Sequence, residues 1–325
     1  MNESIEARAA SAPQAAVRAV PTHPMLTLVR RELWEHPALW VAPLVVSAAL
    51  LLGAIFGRVS FPAGQFPLPA NGAGRAPETV QSFVAAFVVL GFGFAQYFVM
   101  SVVLWFYATA CLYNERRDRS ILFWKSMPVS DAETVLSKAL VAIFLVPAFV
   151  FAVTLLTSLA AYAIWSIRGL AGSAPPALWN GRAWLRAEAF SLVGLVAAVL
   201  WYAPLTAYLL AISAWARRNV QLWAILPPFI AVIVERIAFG THHLSSWLLY
   251  RLGPGWQSQW EQWFERVFSG PFFYSSGGSG GQPAQLFSGM EPLNAFANID
   301  LWIGLAVAAG LLVVAIRVRR YRDDT

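Results

Sequence analysis

The sequence predicts an all-α integral membrane protein: six transmembrane helices, an N-terminal amphipathic interface helix, and a short cytoplasmic helix between spans two and three. Three observations carry that prediction. Of the 325 residues 58% are hydrophobic and only 12% charged, against about a quarter charged in a soluble globular chain. That much apolar surface cannot be hidden in a water-surrounded core, so the bilayer is the expected solvent. The apolar residues fall into six long runs without period-2 alternation, which argues for helices rather than a barrel. The basic residues, finally, are distributed unevenly between alternate connecting segments.

Taken in order, residues 1–23 are polar and Ala/Pro-rich, without the pattern of a cleavable signal peptide, and read as a disordered cytoplasmic tail. Residues 24–36 mix Leu26, Leu28, Val29, Leu33 and Trp34 with Arg30, Arg31, Glu32 and Glu35. This is the pattern of an amphipathic helix lying on the inner membrane face, stopped at His36-Pro37. The transmembrane domain then runs to residue 316, with spans expected near 39–57, 83–110, 139–165, 189–214, 222–240 and 301–316. Each approaches or exceeds the roughly 20 residues needed to cross about 30 Å of hydrocarbon. Residues 317–325 form a basic cytoplasmic tail.

Orientation follows from Lys and Arg. With both termini inside, the cytoplasmic pieces hold Arg8, Arg18, Arg30, Arg31, Arg116, Arg117, Arg119, Lys125, Lys138, Arg217, Arg218, Arg317, Arg319, Arg320 and Arg322. The outer pieces hold eight basic residues spread over longer loops. Both termini are therefore expected in the cytoplasm. The net charge of +6 is accounted for by topology and anionic headgroups rather than by nucleic acid. Fifteen Trp and nine Tyr suit extensive contact with the membrane–water interface. A lone cysteine, Cys111, excludes an intrachain disulfide.

The outer loops differ. Residues 58–80 are Pro/Gly-rich and read as irregular. The large outer loop 241–299 carries Trp256, Trp260, Trp263, Phe264, Val267 and Phe268 at helical spacing, predicting an amphipathic helix on the outer leaflet or capping the spans. Ser275 to Gly281 reads as a flexible joint.

The most informative stretch lies between spans two and three: Glu115-Arg116-Arg117-Asp118-Arg119-Ser120-Ile121-Leu122-Phe123-Trp124-Lys125-Ser126-Met127-Pro128-Val129-Ser130-Asp131. Glu115 and Arg119 stand at i and i+4, which supports a helix. Pro128 ends the segment, and Ser130 with Glu133 has the spacing of a capping box opening the next helix. The result is helix, turn, helix, with Ile121 to Trp124 as an apolar ridge flanked by charge. Such a ridge suits partner docking; the alternative is a loop whose arginines serve topology while its aromatics sink among headgroups.

The same run resembles the cytoplasmic loop of bacterial ABC-2-type (type V fold) ABC transporter permeases, in the form E-R-R-D-[RK]-S-I-L-F-W-K-S-[LM]-P-V-S-D. The likeness is close over about residues 113–138 and extends in layout to nearly the whole chain. It implies a permease subunit that forms a dimer, homodimeric in the simplest case, and binds two copies of a separate P-loop ATPase. The loop would then hold the coupling helix, with Glu115, Arg116, Arg117, Asp118, Arg119, Phe123, Trp124 and Lys125 as contact residues. ATP and Mg would belong to the partner. The chain itself has two lysines, preceded by Trp124 and Ser137, so the Gly-Lys-Ser/Thr of a P-loop is absent and ATP hydrolysis by that route is excluded.

Glu235 and Arg236, near the outer end of span five, are a possible intramembrane functional pair, or anchors that snorkel to the surface. His242-His243 lacks further ligands for a metal site. Catalytic, cofactor-binding and metal residues are not expected. The implied function is export of a hydrophobic, lipid-like or peptide cargo across the bacterial inner membrane. Alternatives are a force-transmitting or drug-sensing complex sharing the same loop, an ion-coupled secondary transporter, and an integral-membrane enzyme. The last two are disfavoured because Glu235 alone supplies an intramembrane carboxylate and the outer loops show no acid–base cluster.

Overall fold

A computed structural model of the chain describes residues 24–57, 78–118, 129–170, 180–253 and 294–321. Among these every regular element is helical: α1 (Pro24–Glu35), α2 (Ala38–Phe56), α3 (Glu78–Arg117), α4 (Asp131–Leu140), a π-helical turn (Val141–Leu145), α5 (Val146–Leu170), α6 (Gly181–Trp215), α7 (Val220–Phe239), α8 (His243–Leu252), α9 (Asn294–Ala297) and α10 (Ile299–Tyr321). Six stretches are long and apolar enough to cross a membrane: α2, α3, the continuous α4–π–α5 rod, α6, α7 and α10.

Several helices outrun the expected spans. α3 has 40 residues and α6 has 35, about 60 and 52 Å at 1.5 Å per residue. Both exceed the hydrocarbon thickness, so parts must stand outside it. The sequence reading stops each span at its first charges. α3 continues past its expected end because Glu115 and Arg116 are paired inside the protein. The capping box opening α4 is present: Ser130 Oγ accepts from the Glu133 amide at 3.1 Å, and the Ser130 amide donates to Glu133 Oε2 at 2.8 Å. Asn219, in the left-handed conformation that Asn tolerates, turns the chain between α6 and α7. The π turn precedes Pro147, whose ring nitrogen has no proton to give to residue 143; the wider Val146 N–H to Val141 O bond takes up the disruption.

Packing is uneven. α6 rests chiefly on α3 and α10, whereas α5 rests chiefly on α2 and α3; α5 and α6 touch lightly. The core gathers Tyr107, Leu112, Val135, Val141, Ala207 and Leu210 near the end of the bundle where α3, α6 and α10 terminate. α7 is the least covered, with Leu222, Ile225, Phe229, Ile233 and Ile237 exposed. Such faces suit lipid rather than water. α8 folds back against the bundle. Trp201 Nε1 donates to the carbonyls of Arg251 and Gly253, both at 3.1 Å, and the Arg251 guanidinium lies 4.2 Å from the Trp201 ring centroid. Gly304 of α10 leaves room for the Arg251 guanidinium, which a Cβ there would displace. α8 was not foreseen from sequence, and the aromatic helix expected around residues 256–268 lies outside the described residues.

Candidate functional site

At the end of the bundle carrying Arg116 and Arg319, seven charged side chains from four helices converge. α1 supplies Arg31, Glu32 and Glu35, α3 supplies Glu115, α4 supplies Asp131 and Lys138, and α10 supplies Arg319. Lys138, 0% exposed, donates to Glu32 Oε1 at 2.6 Å and stands 3.1 Å from Glu115 Oε1. Glu32 is 1% exposed, and its second oxygen accepts from the Tyr107 hydroxyl at 3.0 Å. Glu115 is the hub. Arg319 Nη1 donates to it at 2.6 Å, Arg31 Nη2 at 2.9 Å, and Lys138 completes the set. Arg319 also reaches Asp131 at 3.1 Å, and Arg31 reaches Glu35 at 2.6 Å.

Three cations thus face four carboxylates in a site largely closed to water. Burying an ion costs several kcal/mol unless partners and hydrogen bonds compensate, and here each group has both. Burial opposes the charge on Arg31, but Glu35 and Glu115 outweigh it and hold the guanidinium above its ordinary pKa. The arrangement ties together the two helices that flank the segment between Asp118 and Val129, because Arg319 joins Glu115 just before that segment to Asp131 just after it.

The eight proposed contact residues therefore divide. Arg119, Phe123, Trp124 and Lys125 lie outside the described residues. Arg117 and Asp118 are exposed, 3.6 Å apart. Glu115 and Arg116 turn inward: Glu115 enters the charge cluster, and Arg116 donates to the carbonyls of Ser213 and Ala216 at 2.6 and 2.8 Å. Arg119, the expected i+4 partner of Glu115, lies outside the described residues; within them Glu115 meets Lys138, Arg319 and Arg31, all distant in sequence. Glu32 is likewise on the buried side of α1, while Leu26 and Trp34 are exposed. The amphipathic reading puts that charge outward; the cations behind α1 draw it in.

Glu235 and Arg236 are not brought together. Glu235 Oε1 accepts from Thr241 Oγ1 at 2.9 Å and Oε2 from the Leu244 amide at 2.8 Å, so it caps the start of α8, while Arg236 is exposed. Glu235→Gln keeps one acceptor and is expected to lower the melting temperature slightly. A melt identical to that of wild type would show that the cap contributes nothing to stability. Among the described residues no group of His, Cys, Asp and Glu could hold a metal ion, His242-His243 included.

Glu32, Lys138 and Arg319 were missed as site residues because each reads locally as a membrane-flanking charge. The available signal was Lys138, one of two lysines in the chain, set directly against the apolar run Ala139 to Leu145. Glu188 was also missed. It lies within α6, 2% exposed, although the expected span began one residue later.

No protein-family model, curated protein or solved structure matches this chain.

Proposed function

We propose that the chain is the permease subunit of an ATP-driven transporter, with the basic end of the bundle in the cytoplasm and residues 119–128 docking on a separate ATPase. One observation carries the reading: the buried cluster clamps both ends of that segment to α1, α4 and α10, with Arg319 bridging Glu115 and Asp131. A force applied to the segment would reach three helices through short ionic contacts instead of being absorbed by a pliant loop. Burying so many charges gives little net stability over an apolar core, so a mechanical use is the better reason for it. The sequence of the segment, with its Phe123-Trp124 ridge and its likeness to ABC-2 permeases, supplies the partner's chemistry. By that likeness two copies form the transporter, each meeting one ATPase, and nucleotide binding shifts the equilibrium between closed and open arrangements. The near absence of charge along the spans favours a hydrophobic, lipid-like or peptide cargo.

Gentle purification of tagged protein from bacterial inner membranes tests this. A P-loop ATPase is expected to accompany it, with ATP turnover in the preparation. Its absence in several mild detergents would remove the proposed partner.

A further inference from the structure

In the half of the bundle away from the charge cluster, Glu188 has no counter-charge among the described residues. Its Oε1 accepts from Ser158 Oγ at 2.5 Å, and Ser158 Oγ in turn accepts from Trp184 Nε1 at 3.2 Å. Its Oε2 is buried with no hydrogen-bond partner among the described residues. The Tyr97 hydroxyl, within electrostatic reach, is also buried and unpartnered; Ser191 lies beside it but out of hydrogen-bonding geometry. Every other described carboxylate buried this deeply has at least one cation on it.

The charged surroundings are few. On its own helix Arg182 and Arg186 are exposed. From α5, Arg168 donates to the carbonyls of Ala54 and Gly57, both at 2.8 Å. α2 carries no charged residue. From α3 the titratable group beside Glu188 is Tyr97. On α10, Asp300 accepts from Tyr250 at 3.0 Å. On α7, Glu235 is committed to α8. An ionised, unpaired carboxylate in apolar surroundings is strongly disfavoured, and such a group either acquires a cation or carries a proton. At 2% exposure an ammonium or metal ion would have to force the helices apart, whereas a proton requires no volume.

We propose that Glu188 is a proton-binding site whose carboxyl takes up and releases one proton on Oε2 as the seam between α5 and α6 closes and opens. Uptake forms one O–H bond with a proton delivered by water, and release returns it to water. The seam is the place for such exchange. α5 and α6 both rest on α3 but touch each other lightly, and the Ser158–Glu188 and Trp184–Ser158 bonds cross between them. With the seam closed the proton on Oε2 leaves the dry site without an uncompensated charge; with it open, water can solvate the carboxylate. The site does not depend on an ATPase partner, so it stands or falls separately from the docking reading.

The test is infrared difference spectroscopy on the full-length chain in lipid nanodiscs, with pH steps, comparing wild type with E188Q, Y97F and S158A. Wild type is expected to show a protonated-carboxyl band at neutral pH that is missing from E188Q and bleaches reversibly at alkaline pH. The band is expected to move in Y97F and S158A, which retain the acid and cover the case in which E188Q fails to fold. Three outcomes overturn the proposal: no band attributable to Glu188; a band unchanged in both Y97F and S158A; or a band that persists at every pH at which the protein stays folded, which would make Glu188 a fixed structural acid.

Discussion

Lys138→Met is expected to be the most damaging single substitution in the described structure. It leaves Glu32 and Glu115 charged and buried while removing the cation between them. Removing one member of a buried ion pair costs about 3–5 kcal/mol, because the remaining charge stays uncompensated. Glu115 keeps Arg319 and Arg31, so most of the loss falls on Glu32. The double variant Glu32→Gln/Lys138→Met should therefore recover much of the stability, because the neutral amide that replaces the Glu32 carboxylate can still accept from the Tyr107 hydroxyl. Thermal melts of wild type, the two single variants and the double variant in lipid nanodiscs form a double-mutant cycle. A Lys138→Met variant as stable as wild type, or a double variant no better than Lys138→Met alone, would show that these groups do not act as a pair.

Phe123→Ala with Trp124→Ala is expected to abolish functional coupling to the proposed ATPase partner while the protein still inserts and folds. Large aromatics at the centre of an interface each contribute about 2 kcal/mol or more, roughly thirty-fold in affinity. The charge cluster does not include either residue, so melting behaviour should be unchanged. ATP turnover stimulated by the permease, measured beside the melt, separates the two effects. Normal stimulation would show that the aromatic ridge is not the docking surface, whereas a lowered melt would give it a structural role instead.

The spans were legible because apolar runs and flanking charges are local properties of the sequence. Their ends were not. The expected span over 83–110 is part of a helix reaching Arg117, since Glu115 and Arg116 find partners in α10, α4 and the α6 terminus. The capping box at Ser130 was legible for the same local reason as the spans. The cluster was hidden because its members are separated by tens to hundreds of residues, and a lone Glu32 or Arg319 has the same local pattern as a topology signal. Glu188 was hidden by its neighbours. Arg182 and Arg186 in the same helix suggest a solvent-exposed approach, and only the placement of Ser158 and Tyr97 shows that one face of that approach is dry.

Arg319 bridges Glu115 and Asp131 on either side of the segment between Asp118 and Val129, and site-specific photo-crosslinking from that segment in native membranes tests the proposed docking most directly. A photoreactive amino acid at Ser126, two residues after Trp124 in the sequence, is expected to yield one dominant protein adduct containing a P-loop ATPase. That adduct should disappear in the Phe123→Ala/Trp124→Ala background. An adduct with lipid alone, or an ATPase adduct indifferent to that double substitution, would contradict docking through this segment.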